Sequence, residues 1–122
     1  MSEKKILLVD DAETILMMER MILGKSYEVI TAKDGDQALA AAKTEKPDLI
    51  ILDIVMPNMD GFEVCRRIRS EESTKSIPVI MVTTKGDSRS VEKGFESGCN
   101  DYVTKPINNA ELLSKVRSHL GE

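Results

Sequence analysis

The sequence contains 122 residues, of which 41% are hydrophobic and 31% are charged, and its formal net charge is −4. This length and composition are typical of one globular domain and exclude a disordered tail. The acidic balance argues against direct binding to nucleic acid, and no apolar run approaches the ~20 residues that span a membrane. Because the N-terminus also lacks the pattern of a signal peptide, we expect residues 1–122 to form one cytoplasmic domain without membrane insertion.

Short apolar runs alternate with helical patterns along the whole chain. In chain order, the predicted elements are a strand at Ile6–Asp10, a helix at Thr14–Leu23, a strand at Tyr27–Thr31, a helix at Gly35–Thr44, a strand at Leu49–Ile54, a helix at about Gly61–Ser70, a strand at Pro78–Thr83, a helix at about Ser88–Glu96, a strand at Asp101–Thr104 and a helix at Asn109–Leu120. The first, third and fourth strands contain continuous apolar runs, which favours strands covered on both faces. The pattern predicts the α/β class, with five helices around a doubly wound, five-stranded parallel sheet.

A few residue types set further limits. Cys65 and Cys99 lie in no metal-binding or CxxC spacing, so we expect reduced thiols. His119 is the single histidine, and we expect it at the surface rather than in a metal or nucleophilic site. Helix ends are predicted at Gly24 and Gly98, and helix starts are predicted at Asp60, Ser88 and Asn108.

Polar residues stand at the ends of four predicted strands. They are Asp10 and Asp11 in the first, Asp53 in the third, Thr83 and Thr84 in the fourth, and Lys105 and Pro106 after the fifth. Taken alone, Asp10 or Asp11 fits a helix cap, and Lys105 fits a solvated loop. Because parallel strands end at the same edge of a sheet, where α/β proteins bind ligands, the residues together predict one site.

The chemistry of such a site follows from its charges. Carboxylates repel one another by on the order of 4 kcal/mol for a pair at ~4 Å and an effective dielectric of ~20. They therefore either take up protons or hold a cation, and carboxylate oxygens with room for water suit Mg²⁺. With both Mg²⁺ and Lys105 the site is nearly neutral and can receive a phosphoryl group, for which Asp53 can serve as the nucleophile.

Four segments carry a resemblance to a known family, namely ILLVDDAE, DLIILDIVMPNMDGFEV, IPVIMVTT and GCNDYVTKPI. They resemble the receiver domains of two-component response regulators, and the resemblance runs from about Lys4 to Leu120. It implies the flavodoxin-like receiver fold with strand order 2-1-3-4-5.

The resemblance also implies the metal site. Asp53 would be the phospho-acceptor, and Asp11 a direct ligand of Mg²⁺. Asp10 would hold the metal directly or through water, and the backbone carbonyl of Val55 would complete the set.

The same resemblance implies how the phosphoryl group acts. Lys105 would pair with the phosphoryl oxygens, and the peptide between Lys105 and Pro106 would be cis. Thr83 would reorient to bond the phosphoryl group, and Tyr102 would follow by moving inward. Phosphorylation would then change the face made by the fourth helix, the fifth strand and the fifth helix, where a downstream protein would bind.

Three residues depart from the family pattern. Thr84 is bulkier than the usual residue there and narrows access to the phosphoryl group. Val55 and Lys85 occupy positions that influence the lifetime of the phosphoryl group, and neither offers an acid or amide to place an attacking water. We therefore expect slow self-dephosphorylation.

The first helix carries more apolar residues than one buried stripe needs. They are Ile15, Leu16, Met17, Met18, Met21, Ile22 and Leu23. Two interpretations remain open: a fully packed core helix with methionine as filler, or an exposed apolar patch that binds a partner. The resemblance favours docking of a four-helix phosphodonor here. We expect Ile15, Met18 and Pro106 to take part, with Glu19 or Arg20 at the rim.

The function predicted from these features is a phosphorylation switch. The phosphodonor would be a sensor histidine kinase or a histidine phosphotransfer protein, and the chain would be a monomer or a weak phosphorylation-dependent dimer. Alternatives are a phosphorelay intermediate and a receiver cut from a larger effector, although a stand-alone receiver is favoured. We do not expect an enzyme: a dehalogenase-type phosphohydrolase needs an acid where Val55 stands, and a nucleotide or flavin binder needs a glycine-rich loop where Asp10 and Asp11 stand.

Overall fold

Strands and helices alternate strictly in the computed structural model, which describes residues 3–84 and 86–122. In chain order these are β1 (Lys5–Val9), α1 (Glu13–Leu23), β2 (Glu28–Ala32), α2 (Gly35–Glu45), β3 (Leu49–Asp53), α3 (Gly61–Ser70), β4 (Val79–Thr83), α4 (Ser88–Ser97), β5 (Asp101–Thr104) and α5 (Asn109–His119). The strand order is β2-β1-β3-β4-β5, and each pairing is parallel. The predicted fold is confirmed, and no element boundary shifts by more than one residue.

The sheet has a core on each face because neighbouring residues of a strand point to opposite sides. Leu7 and Ile50 belong to a cluster with α2 and α3 that includes Ala38 and Val64. The residues that alternate with them belong to a second cluster with α1 and α5, which includes Ile6, Ile51, Leu16 and Leu112. The continuous apolar runs are therefore explained by burial on both faces, as expected for a doubly wound sheet.

Side-chain caps start most of the helices. Asp60 and Asn108 cap α3 and α5 as predicted, and each side chain accepts a bond of 2.9 Å from the backbone N–H three residues later. α4 begins at Ser88 as predicted, but Ser88 is not its capping residue. Asp87 is the cap of α4, because its carboxylate accepts a 3.0 Å bond from the N–H of Ser90.

Glycines end two helices and let a third pack closely. The predicted ends at Gly24 and Gly98 are confirmed, and Gly98 has a φ of 109°, which favours glycine. Within α4, a side chain at Gly94 would come within 3.1 Å of the ring of Tyr102 and 3.2 Å of the sulfur of Met81. The absence of a side chain at Gly94 therefore brings the backbone of α4 close to the sheet.

The structure also bears on the two cysteines and on membrane insertion. Cys65 and Cys99 are free and buried, and burial raises the pKa of Cys99 to about 12, so the thiol is unreactive at neutral pH. In the ranges that the structure describes, no helix has both the length and the apolar content to cross a membrane.

Candidate phosphoryl-acceptor site

Four strand ends bring polar side chains to one edge of the sheet. Asp10 and Asp11 follow β1, Asp53 is the last residue of β3, Thr83 is the last residue of β4, and Lys105 follows β5. Each of the three aspartates offers a carboxylate oxygen, and these oxygens lie within 4.8 Å of one another. The structure thus brings together the carboxylates that the sequence placed on one edge. Asp10, Asp11, Asp53 and Lys105 are hereafter the acceptor cluster.

Asp10 is held by its own backbone and by its side chain. Its N–H donates a 3.1 Å bond to the carbonyl of Ala32, which continues the pairing of β1 with β2 by one residue. Its Oδ1 accepts a 2.9 Å bond from the N–H of Ala12. Asp10 as a whole is 1% exposed, so the turn after β1 buries a carboxylate in a fixed orientation.

Asp53 is positioned by the close approach of α3 to the end of β3. The N–H of Gly61 donates a 2.8 Å bond to the carbonyl of Ile54 and closes the loop between them. A side chain at Gly61 would overlap the carbonyl oxygen of Asp53, so only glycine fits there. Asp53 itself is 4% exposed and is therefore a buried acid at the rim of the sheet.

Lys105 supplies the positive charge of the cluster. Its N–H donates a 2.8 Å bond to the carbonyl of Thr83, which fixes the backbone beside β4. Its Nζ donates to Asp10 Oδ2 at 3.1 Å and to Asp53 Oδ1 at 3.4 Å. The peptide to Pro106 is cis, as the resemblance implies.

One ammonium does not fully offset the buried carboxylates. Burial and the charge of Asp10 raise the pKa of Asp53 to about 6, although Lys105 lowers it. Burial lowers the pKa of Lys105, but the hydrogen bond from its Nζ to Asp10 and the charges of Asp53 and Asp10 outweigh burial and raise it. The acceptor cluster is therefore electrostatically short of positive charge.

The donor set fits a divalent ion. Three carboxylates that converge within 4.8 Å offer hard oxygen ligands, which Mg²⁺ prefers. Such an ion would supply the positive charge that Lys105 alone does not. The backbone carbonyl of Val55 stays a predicted ligand, since no described contact involves it.

The predicted switch residues are both buried. Thr83 is 0% exposed at the end of β4, beside the acceptor cluster. Tyr102 is 9% exposed, and its ring lies over Gly94 of α4. The expected inward movement of Tyr102 therefore does not apply to this conformation, because the ring is already inside.

The residues expected to tune the lifetime of the phosphoryl group are at the open side of the site. Val55 is 53% exposed, and Thr84 is also exposed. Lys85 lies outside the described residues. The roles of these three residues stay predictions.

α1 presents an apolar surface next to this edge. Met17, Met18 and Met21 are 57%, 44% and 74% exposed, so the fully packed interpretation of the helix is wrong. Ile15 is half-buried, and Pro106 is exposed on the neighbouring loop. The patch formed by Ile15, Met17, Met18, Met21 and Pro106 is called the α1 patch.

Of the two residues expected at the rim of this patch, Glu19 or Arg20, Arg20 is exposed and Glu19 is not. Glu19 is 1% exposed, because it falls on the buried stripe of α1 between Leu16 and Leu23. Burial, and then the charge of Asp10, raise its pKa to about 8. Its spacing from the two leucines, three and four residues, was the signal in the sequence for a buried position.

A second group of charges lies between β5 and α5. Asp101 Oδ1 accepts a 3.1 Å bond from Lys115 Nζ, and Asp101 Oδ2 lies 2.9 Å from His119 Nε2. His119 is partly exposed, in keeping with the expected surface position, but it is paired with Asp101. Asp101, Lys115 and His119 are hereafter the β5–α5 cluster.

Comparison with known proteins places this geometry in one family. A family model described as the response regulator receiver domain matches residues 6–117. The transcriptional regulatory protein PhoP for alkaline phosphatase synthesis, from Bacillus subtilis, is 44% identical over 118 residues, which cover 96% of this chain and 48% of that protein. The chain spans from about a quarter to about half of the length of the curated relatives it matches.

Solved structures agree with the sequence comparison. A putative response regulator from Chloroflexus aurantiacus superposes with a TM-score of 0.94 at 37% identity, over 99% of this chain and 100% of that one. The receiver domain of the sensor histidine kinase PA1611 from Pseudomonas aeruginosa superposes with a TM-score of 0.91 at 30% identity, over 99% and 100% of the two chains, and has a magnesium ion coordinated in its active-site cleft.

Proposed function

The chain belongs to the response regulator receiver domain family, and from this premise we propose that it accepts a phosphoryl group on Asp53 with Mg²⁺ and thereby switches the binding of a partner protein. Phosphorylation and Mg²⁺ binding are general to receiver domains of two-component response regulators. The observation that carries the proposal for this chain is the acceptor cluster, whose carboxylates converge within 4.8 Å while Lys105 bonds two of them.

The proposed reaction moves a phosphoryl group from nitrogen to oxygen. An oxygen of Asp53 attacks the phosphorus of a phosphohistidine, so that a P–O bond forms, the P–N bond breaks and the donor imidazole leaves with the electron pair and takes up a proton. Asp53 has a pKa of about 6 and is therefore mostly ionised at neutral pH, as a nucleophile must be. Lys105 Nζ, 3.4 Å from Asp53 Oδ1, is placed to pair with the phosphoryl oxygens.

The ion would be held by Asp10, Asp11, Asp53 and the carbonyl of Val55. When bound, Mg²⁺ neutralises the negative charge that the phosphoryl oxygens bring to the carboxylates. The contribution of the chain itself is to fix those carboxylates, and the bond from Ala12 to Asp10 and the tight packing at Gly61 are the means.

The switch proposed for this chain runs through Thr83 and Tyr102. A phosphoryl group on Asp53 would draw the hydroxyl of Thr83 toward it. The position that the hydroxyl leaves at the end of β4 would then be free for a neighbouring side chain. Because Tyr102 packs over Gly94, a change at Thr83 would alter how α4 lies on β5. The face made by α4, β5 and α5 is therefore the proposed binding surface for the downstream protein, and one modification needs to shift the balance of two states by only a few kcal/mol.

Receiver domains interact with histidine kinases and with downstream effectors. The phosphodonor of this particular chain is a proposal. We infer that the phosphodonor is a sensor histidine kinase or a histidine phosphotransfer protein, which docks on the α1 patch. The exposed methionines there offer a flexible apolar surface beside Asp53 and Lys105.

Residues 1–122 are proposed to act as one receiver unit. Since the curated relatives are longer, this unit serves either alone or within a larger effector, and passing the phosphoryl group onward in a relay is the second candidate. We further propose a cytoplasmic, monomeric or weakly dimeric protein that binds no nucleic acid through this domain. Its chemistry is acceptance and slow loss of one phosphoryl group rather than turnover of a substrate.

Acetyl phosphate tests the central proposal. In the presence of Mg²⁺, the wild-type chain should gain one phosphoryl group, measured as a mass increase on the intact protein, and Asp53→Asn should gain none. The decay of the label gives the lifetime, which should be long because neither Val55 nor Lys85 offers an acid or amide to place an attacking water. Labelling of Asp53→Asn to the wild-type level, or repeated hydrolysis of phosphate esters by the wild type, would contradict the proposal.

Docking on the α1 patch has a separate test. Met18→Glu should slow transfer from a phosphorylated histidine kinase or phosphotransfer domain by about tenfold, while labelling by acetyl phosphate stays near the wild-type rate, because a charge in an apolar interface weakens docking alone. Phe95→Glu is the matched control, since Phe95 is 47% exposed on α4, away from the patch. Equal slowing with both phosphodonors would argue against docking at Met18.

A further inference from the structure

One oxygen of a buried acid on α1 has no hydrogen-bond partner within the chain as described. Glu19 is 1% exposed, and its Oε1 is the one buried side-chain nitrogen or oxygen that lacks a hydrogen bond in residues 3–84 and 86–122. Buried polar groups in native proteins nearly always have a partner, and leaving one unsatisfied costs about 1–3 kcal/mol. A partner from outside the polypeptide would satisfy this carboxyl group.

Helix geometry directs Glu19 toward the acceptor cluster. Long side chains on a helix lean toward its N-terminus, and α1 begins at Glu13, three residues after Asp10, at the carboxyl edge of the sheet. The charges of Asp10, Lys105 and Asp53 all act on the pKa of Glu19. The carboxyl group therefore lies behind the acceptor cluster, within electrostatic reach of three of its members.

The surroundings of Glu19 are those of an apolar residue. Leu16 and Leu23, one turn away on either side, are 3% and 0% exposed and belong to the core between α1, α5 and the sheet. A leucine would suit this stripe, whereas a carboxyl group there lowers the stability of the fold. The opposing benefit has to come from something that the carboxyl group binds.

We propose that Glu19 is a fourth carboxyl group of the divalent-cation site, which acts on the ion by its charge and through a water molecule in the shell of the ion. This inference rests on the proposed function, because it requires that the acceptor cluster bind Mg²⁺. Mg²⁺ in protein sites keeps several waters. A carboxyl group behind a direct ligand can therefore accept a hydrogen bond from one of these waters. Outer-shell groups of this kind typically change metal affinity by about 10–100-fold.

Two substitutions separate this role from a tolerated core residue. Glu19→Gln keeps the shape and removes the charge, and Glu19→Leu also removes the unsatisfied polar group. If Glu19 serves the ion, both variants weaken Mg²⁺ binding, while Glu19→Leu raises the melting temperature of the metal-free protein. A purely structural role would move stability alone, so the opposite signs of the two effects are the diagnostic.

The experiment is calorimetric titration of the full 122-residue chain with MgCl₂ at pH 9, where the Glu19 carboxyl group is ionised, together with thermal unfolding in EDTA at the same pH. We expect the Kd for Mg²⁺ to rise about tenfold in Glu19→Gln and Glu19→Leu. The control Glu28→Gln removes one charge from an exposed residue at the start of β2, at the opposite edge of the sheet, and should keep the Kd within about twofold.

An unchanged Kd in Glu19→Gln, with wild-type binding intact, would overturn the inference and leave the proposed function standing. A shift as large in Glu28→Gln as in Glu19→Gln would also overturn it, because general charge would then explain the effect. If the wild type binds no Mg²⁺ and gains no label from acetyl phosphate, the proposed function fails first, and this inference fails with it.

Discussion

Two carboxylates of this protein lie beside a lysine, yet their pKa values shift in opposite directions. In the acceptor cluster, Asp53 Oδ1 is 3.4 Å from Lys105 Nζ, and the pKa of Asp53 is raised to about 6. In the β5–α5 cluster, Asp101 Oδ1 is 3.1 Å from Lys115 Nζ, and the pKa of Asp101 is lowered. A neighbouring lysine therefore does not by itself decide the state of an acid.

The number of donors for each carboxylate explains the difference. Burial alone would raise the pKa of Asp101, but bonds from His119, from the N–H of Tyr102 and from Lys115 outweigh it. In residues 3–84 and 86–122, the side chain of Asp53 has a described bond only from Lys105, which it shares with Asp10, and burial prevails. The β5–α5 cluster is complete and ties α5 to the sheet, whereas the acceptor cluster is left short of positive charge, which is the state in which it can take up an ion and then a phosphoryl group.

Replacing the lysine of each cluster should give the largest difference in the free energy of unfolding between the two clusters. Lys105→Gln leaves Asp10 and Asp53 buried without a cation and should lower the free energy of unfolding by about 3 kcal/mol in EDTA. Lys115→Gln leaves Asp101 with His119 and the N–H of Tyr102, in a partly exposed setting, and should lower it by about 1 kcal/mol or less. Urea unfolding at pH 7.5 measures both.

Added Mg²⁺ sharpens this comparison. Saturating Mg²⁺ should recover part of the loss in Lys105→Gln, because the ion supplies the missing positive charge, and should recover none in Lys115→Gln. Equal losses for the two variants in EDTA would contradict the view that the two clusters differ in their charge balance.

The pH dependence of Asp53→Asn should follow from the raised pKa. A folded-state pKa of about 6, against 3.8 in the unfolded chain, means that stability is lost as pH rises through that interval. Relative to wild type in EDTA, Asp53→Asn should therefore gain about 2 kcal/mol between pH 4 and pH 8. Denaturant unfolding across this range measures the gain, and a difference independent of pH would rule out the raised pKa.

For Asp101→Asn, the stability relative to wild type should change with pH in the opposite direction and by a smaller amount. Because the folded-state pKa of Asp101 is lowered, its stabilising contribution is present above the unfolded value of 3.8 and is lost as pH falls through the folded value. The variant should be less stable than wild type by about 1 kcal/mol at pH 7, and the difference should vanish in acid. Phospho-labelling of Asp101→Asn should match wild type, in contrast to Asp53→Asn, and loss of labelling would break the distinction between the clusters.

Much of the fold and of the site was predictable from the sequence because both follow local rules. Continuous apolar runs at β1, β3 and β4 indicated strands covered on both faces, and the alternation with helices indicated parallel pairing. Once the strands are parallel, Asp10, Asp53 and Lys105 must meet at one edge, and the structure confirms that they do. The strand order and the cis peptide before Pro106 came from the family resemblance and are also confirmed.

Other features depended on which side of an element faces the core. The sequence of α1 allowed either a packed helix or an exposed patch, and the methionines proved to be outside while Glu19 proved to be inside. Likewise, the pairing of His119 with Asp101 joins residues on different elements and has no local signature.

The sequence by itself determined the order of elements, the parallel sheet and the edge on which the acids gather, because apolar periodicity and strand direction are properties of consecutive residues. Only the tertiary structure decided how many donors each acid receives and how deeply it is buried. Those two quantities depend on groups brought together from distant parts of the chain, and they set the pKa values of Asp53, Glu19 and Asp101. The direction of each pKa shift therefore depends on how β1, α1, β3, β5 and α5 pack together.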